Sequence, residues 1–223
     1  MKRCLSLILL VAAASLASAQ NSITLHRNYK VGDADSYKMT MHIEGGQSAD
    51  ISSTYTETVK KVYDNGDADI ELKYESMTYS MNGTTFPAPK QALKTITMRY
   101  NSMGMPAETG NNRMGGDISA YAAMIPKGPI AVGDTFPVDE TDKQGTHTTG
   151  TVKLSSIDAG IATVDVDVAI LRKGDTTPMH VKATTKFDAA DSKLESTEGD
   201  AADIPMGPNR SASMHFTVER VKS

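Results

Sequence analysis

The chain has 223 residues, a formal net charge of −4, 13 methionines, one cysteine and no tryptophan. Mild acidity without a basic cluster interleaved with aromatics argues against a nucleic-acid surface. A single thiol excludes an intrachain disulfide and a thiolate metal cluster, and the length suits one domain or two small ones.

The chain opens MKRCLSLILLVAAASLASAQ. Lys2 and Arg3 form a short basic start, an apolar run extends from Leu5 to Leu16, and Ala17-Ser18-Ala19 is a small-residue exit. This pattern predicts a secretory signal peptide over 1–19, cut between Ala19 and Gln20. Cys4 precedes the apolar run, so it leaves with the signal peptide and is not a lipidation site. The exported chain is then free of cysteine. Secreted eukaryotic domains of this size usually carry disulfides, so a bacterial periplasmic or extracellular location is expected. No second long apolar run occurs, and no transmembrane segment is expected in the mature chain.

Period-2 alternation dominates the remainder of the chain. Tyr37, Met39, Met41 and Ile43 share one face of a predicted strand, with Lys38, Thr40 and His42 on the other. Next comes VYDNGDADIELKY, residues 62–74, with four acidic residues around an Asn-Gly pair. A calcium loop of the EF-hand kind needs its glycine at position 6, and Gly66 comes three residues too early counting from Asp64. Asn65-Gly66 predicts instead a two-residue hairpin turn with both residues at positive φ. Ile70, Leu72 and Tyr74 share a face, and the apolar set then changes parity to Met77, Tyr79 and Met81. That phase change predicts a bulge near Glu75-Ser76, a device that bends a sheet.

Pro89 to Leu93 reads as a turn, and 103–116 (MGMPAETGNNRMGG) as a turn-rich loop. Ile118, Tyr121, Ala122 and Ile125 follow helical spacing, with Asp117 as N-cap and Pro126 as stop, which predicts one short helix over about 117–125. Further half-buried strands are predicted over 161–171, 181–187 and 213–221, with Val164, Val166 and Val168, then Val181, Ala183 and Phe187, then Met214, Phe216 and Val218 facing inward.

The two halves echo each other. Asp64, Gly66, Ala68, Ile70 and Leu72 match Asp158, Gly160, Ala162, Val164 and Val166; KVGDADSY (30–37) resembles AVGDTFPV (131–138). A single domain over 20–223 is expected, built from halves of about 23–112 and 126–223. Signal peptide, paired V-G-D turns, the long hairpin, the segment Pro129 to Phe136 and the strand pair Phe187 to Leu194 resemble a family of secreted bacterial β-rich proteins of unknown function. The resemblance implies a β-rich secreted domain and carries over no functional residue. The fold class expected is mainly antiparallel β: a curved sheet or half-barrel with one short α-helix.

The chemistry-bearing residues form no recognisable constellation. His26, His42, His147, His180 and His215 are scattered without metal-ligand spacing, and nucleophile, metalloprotease and phosphate-loop motifs are lacking. Asp165 and Asp167 share the wet face of one strand. No cofactor, no metal and no catalytic residue is expected. Methionines offer the strongest signal. Met39, Met41, Met77, Tyr79 and Met81 are the candidate apolar-ligand face, with plain core packing and a thioether copper site as the other readings of the same stripe. The expected function is a non-catalytic binding module for an apolar ligand such as an acyl chain or other lipid. A cell-envelope structural or protein-interaction module without a small ligand, and an enzyme of unknown class, remain as alternatives.

Overall fold

Strand β11 (Met179–Asp188) shows the rule on which the molecule is built. Met179, Val181, Ala183, Thr185 and Phe187 are buried, and the intervening His180, Lys182, Thr184 and Lys186 are exposed. Thirteen strands, one short α-helix and a single 3-10 turn (Lys90–Leu93) occur among the described residues of this computed structural model, which are 22–46, 48–107, 116–207 and 210–222. The predicted signal peptide and its Ala19–Gln20 junction lie outside them.

In chain order the strands are β1 (Ser22–Thr24), β2 (Ala34–Glu44), β3 (Ser48–Val62), β4 (Ala68–Met81), β5 (Thr84–Pro87) and β6 (Ile96–Tyr100). Helix α1 (Gly116–Ala122) is next, then β7 (Pro129–Ala131), β8 (Thr135–Thr141), β9 (His147–Asp158), β10 (Ile161–Leu171), β11, β12 (Leu194–Pro205) and β13 (Ser211–Arg220). Eleven strands form one antiparallel sheet in the order β5-β4-β3-β2-β13-β12-β11-β10-β9-β8, with β6 also paired to β4. The sheet is curved and does not close into a barrel. β1 and β7 pair separately as a small ribbon.

The predicted bulge is present: Tyr55 pairs with Tyr74 and Thr54 with Ser76, leaving Glu75 as the extra residue. The parity change read from the sequence is this insertion. The turn at the other end of the hairpin differs from expectation. Only Gly66 takes a positive φ, of 83°; its N–H donates to the Tyr63 carbonyl and the Tyr63 N–H to the Asp67 carbonyl, each at 2.9 Å. The tip is therefore a three-residue loop with glycine in the left-handed position. The Asn65 side chain, at 3.2 Å, accepts the Asp67 N–H instead of entering that region itself. The two-residue tip occurs in the second half, where Ala159 and Gly160 adopt φ of 48° and 81° and Asp158 pairs directly with Ile161.

Each V-G-D turn is fastened in the same way. Gly32 donates to the Val59 carbonyl and Val59 to that of Asp33, both at 2.9 Å. In the second half Gly133 donates to Leu154 at 2.7 Å and Leu154 to Asp134 at 3.2 Å. Ala68 pairs with Tyr100 as Ala162 pairs with Phe187. The halves meet where β13 runs against β2.

Helix α1 is packed against β11 and β12. It starts one residue before the predicted cap and stops at Ala122, short of the predicted 125. The Ile125 N–H is taken by a partner outside the helix, and Pro126 has no N–H to donate to the Ala122 carbonyl. Thr185 Oγ1 donates to that carbonyl at 2.7 Å, and the Thr197 hydroxyl lies 2.7 Å from Thr185. The chain stays buried through Met124 and Ile125, and Ile125 donates to the Met103 carbonyl at 3.1 Å. Met103 and Met105, expected in a loop, are themselves buried. The Asn101 side chain accepts both their N–H groups, at 2.9 and 3.0 Å. Residues 108–115 of that loop lie outside the described residues.

At Gly150 on β9 an added Cβ would fall 2.1 Å from the Asp167 carbonyl oxygen and 2.7 Å from Val168 Cα, both backbone atoms of the neighbouring strand. Gly150→Ala is expected to lower the urea midpoint by the equivalent of roughly 2–3 kcal/mol, since overpacking against backbone cannot relax through a rotamer. Gly83→Ala, with open space around it and only its φ of 76° to strain, is expected to cost about 1 kcal/mol.

Candidate functional site

The side of the sheet covered by helix α1 holds two adjoining cavities. The outer one, about 590 Å³, has polar walls that include His26, Asn28, Lys30, Asp33, Asp191 and Lys193. The inner one, about 60 Å³, is mostly apolar and includes Met39, Leu72, Tyr100, Ala120, Leu194 and Val218. Arg27, Tyr29, Glu57 and Ile70 line both, so they form the neck between them.

Strand geometry brings Glu57 there. On β3, Ser53, Tyr55 and Val59 are buried and share its parity, which places a carboxylate on the inward row. Arg27 reaches the neck from the segment between β1 and β2. One guanidinium nitrogen donates to the Ala123 carbonyl at 3.5 Å, and the group lies 5.2 Å from the centre of the Phe187 ring. Its Nε is enclosed and hydrogen-bonds no protein atom among the described residues. Gly104 allows this approach: a Cβ there would stand 3.2 Å from Arg27 Nε and 3.2 Å from the Ala123 oxygen. An enclosed donor without an acceptor costs about 1–3 kcal/mol, more when charged.

Arg27 and Glu57 sense each other's charge without forming an ion pair. Burial pushes the Glu57 carboxyl from its ordinary 4.5 up to about 7; Arg27 pulls it down and Asp35 pushes it up. Burial likewise raises the Tyr29 phenol to about 12 and holds Tyr37 and Tyr55 well above the usual phenol range, so all three stay neutral donors near neutrality. Tyr37, Tyr55 and Tyr74 adjoin across β2, β3 and β4 with successive ring centres 5.6 Å apart. Nearby, Asp35 pairs with Lys193 at 3.2 Å and with Arg220, and Arg220 pairs with Glu195 at 3.0 Å. These contacts tie β2, β13 and the start of β12 together, so Asp35 is already neutralised.

The five residues of the predicted apolar face lie on one side of the sheet in two environments. Met39 and Met41 are buried, and Met39 reaches the inner cavity. Met77, Tyr79 and Met81 lie beyond the Glu75 bulge and are half-buried. Cross-strand pairing links Met39 with Ser53 and Ser53 with Met77, and likewise Met41 with Ile51 and Ile51 with Tyr79. Tyr79 stacks on Phe86, which is 42% exposed, with ring centres 5.6 Å apart.

The sequence reading missed Arg27, Tyr29 and Glu57. β3 is rich in serine and threonine and reads as weakly apolar, so its inward parity went unassigned. The signal within it was a carboxylate two residues from Tyr55 and two from Val59. The acidic stretch 64–71 has protein partners: Asp69 accepts from Arg99 Nε at 2.8 Å and from the Tyr63 hydroxyl at 2.7 Å, which holds its carboxyl below the ordinary range. His42, His180 and His215 lie on the outer face. His42 and His215 are register partners there; His42 pairs with Asp50 at 2.6 Å and His215 with Asp200 at 2.9 Å. Among the described residues no group of three or more His, Cys, Asp or Glu side chains could hold a metal ion.

No family of known proteins matches the chain, and no curated protein matches it. Among solved structures, an N-terminal dehydratase from the difficidin assembly line aligns over 97% of this chain and 83% of its own, at 9% identity and a TM-score of 0.17. A superposition that poor carries no argument about fold or chemistry.

Glu57 has a measurable consequence. In the unfolded chain it ionises near 4.5, while in the folded state it keeps its proton to about 7. Between these values the folded state binds more protons, so stability declines as pH rises and levels off above about 7. Urea titrations are expected to show a loss of about 1–3 kcal/mol across that window. Glu57→Gln is expected to remove this component of the pH dependence and to be the more stable protein at pH 8.

Proposed function

We propose that this is an exported, non-catalytic binding module for an apolar ligand, held on the concave side of the curved sheet. The observation that carries the reading is a pair of adjoining cavities that share Arg27, Tyr29 and Glu57, the larger with mainly polar walls and the smaller with more apolar ones. A packed core has no need of such a gradient, whereas a molecule with an apolar chain and a polar end matches it along its length. Met39 and Leu72 form the apolar wall, and the flexible thioether adapts to different chain ends. The inner chamber has room for about four water molecules by volume, or a comparable run of methylene groups.

Native mass spectrometry and a fluorescent apolar dye test the reading. The purified protein is expected to carry a small apolar molecule or, once stripped of it, to bind the dye saturably. Ala120→Val, which extends into the inner chamber, should weaken the dye several-fold with little change in melting temperature. A clean apo mass together with no saturable dye binding refutes the ligand reading.

One observation favours a second reading. Met77, Tyr79, Met81 and the exposed Phe86 form an apolar surface beside the edge of the sheet, which suits an envelope protein-interaction module. Loss of a partner on Phe86→Ser with dye binding intact would support this second role.

A further inference from the structure

We propose that the neck recognises a carboxylic acid head group, so that the ligand is a short single-chain acid with its carboxylate on Arg27 and its chain in the inner chamber. This rests on the binding-module reading above and adds the chemistry of the ligand's polar end. Three features of the neck converge on it. The Arg27 guanidinium is enclosed at Nε, and its described hydrogen bond goes to a backbone carbonyl, not to an acid. A guanidinium presents a planar fork of donors that holds a planar carboxylate through two parallel hydrogen bonds. Its position is fixed from three sides, by the Ala123 carbonyl, the Phe187 ring and the backbone of Gly104.

Glu57 supplies the second half of the site. It lines both cavities beside Arg27 and forms no ion pair of its own among the described residues. Carrying its proton, it donates to a carboxylate held on Arg27; ionised, it repels one. The charged and titratable groups facing it are Arg27, Asp35, Tyr29, Tyr37 and Tyr55. The tyrosines stay neutral and Asp35 is held by Lys193 and Arg220, so Glu57 is the group at the neck whose charge changes near neutrality. The other basic side chains of the outer chamber, His26, Lys30 and Lys193, do not line the inner cavity, and Lys193 is paired with Asp35. The apolar side accepts only a few methylene groups, which sets the expected chain length at about six carbons.

The experiment compares hexanoate, hexanol and hexylamine as competitors of the bound dye on the full chain, at pH 5.5 and pH 8. Hexanoate is expected to compete at least tenfold better than hexanol at pH 5.5, and to lose most of that advantage at pH 8. Arg27→Met should abolish the advantage of hexanoate over hexanol at pH 5.5. Because Arg27 also contacts Ala123 and Phe187, the fold is checked by circular dichroism. Glu57→Gln, which keeps the donor and drops the charge, serves as the second variant, and its hexanoate affinity should be equal at the two pH values. Equal competition by hexanoate and hexanol overturns the head-group assignment and leaves the apolar reading standing. Strongest competition by hexylamine overturns it as well, and makes Glu57 the counter-ion. If the wild type binds neither the dye nor any of the three, the binding-module reading itself fails.

Discussion

An open, curved sheet exposes a concave apolar face, and something must be held against it. Here that element is a two-turn helix far too short to be stable on its own. Its place is set by one carbonyl. Pro126 cannot donate to the oxygen of Ala122, and Thr185, reaching up from the floor of the sheet, does so. Thr197 supports Thr185, and the next carbonyl, that of Ala123, accepts from Arg27. The helix is thus pinned at its C-terminal end, where its exposed carbonyls concentrate negative potential and a cation is favoured. Tyr121 and Ile125 can bury themselves because that end is fixed.

The same contacts organise the cavity. Arg27 is drawn to the helix end and away from Glu57, so two opposite charges face one neck without meeting. An ordinary buried pair would close on itself and seal the interior. Separation leaves both groups with unused hydrogen-bonding capacity, at a cost in stability. Val152, Leu154, Val164, Val168, Val181 and Phe216 are almost wholly buried in the second half. The fold therefore divides into a tightly packed half around β10 and a looser half around β3, and the cavity lies against the latter.

This division also governs what is legible in the sequence. Strands β2, β10, β11 and β13 alternate cleanly, so their faces can be read directly, as can the bulge at Glu75 and the spacing of Ile118, Tyr121, Ala122 and Ile125. β3 cannot, because Ser52, Ser53, Thr54 and Thr56 dilute its pattern and Glu57 breaks it at the inward position. A residue that violates the alternation because it serves the cavity is the kind that periodicity discards. Thr185 is hidden for the same reason: a threonine among Val181, Ala183 and Phe187 looks like noise until the proline-terminated helix supplies its acceptor. Arg27 lies in an irregular segment and has no periodicity to reveal it. The first hairpin tip departs from expectation because side-chain hydrogen bonding at Asn65 competes with the turn that Asn-Gly usually prefers.

A sheet that stops short of closure keeps two edges, and edges are where separate chains zip together. At one rim β5, four residues ending at Pro87, and β6, five residues, share the outer side of β4; at the other rim β8 carries Pro137 midway. Each proline withholds a donor from the row that an incoming strand would need. Two imino acids and short rim strands thus leave the backbone at the rims a poor template for polymerisation although the sheet stays open.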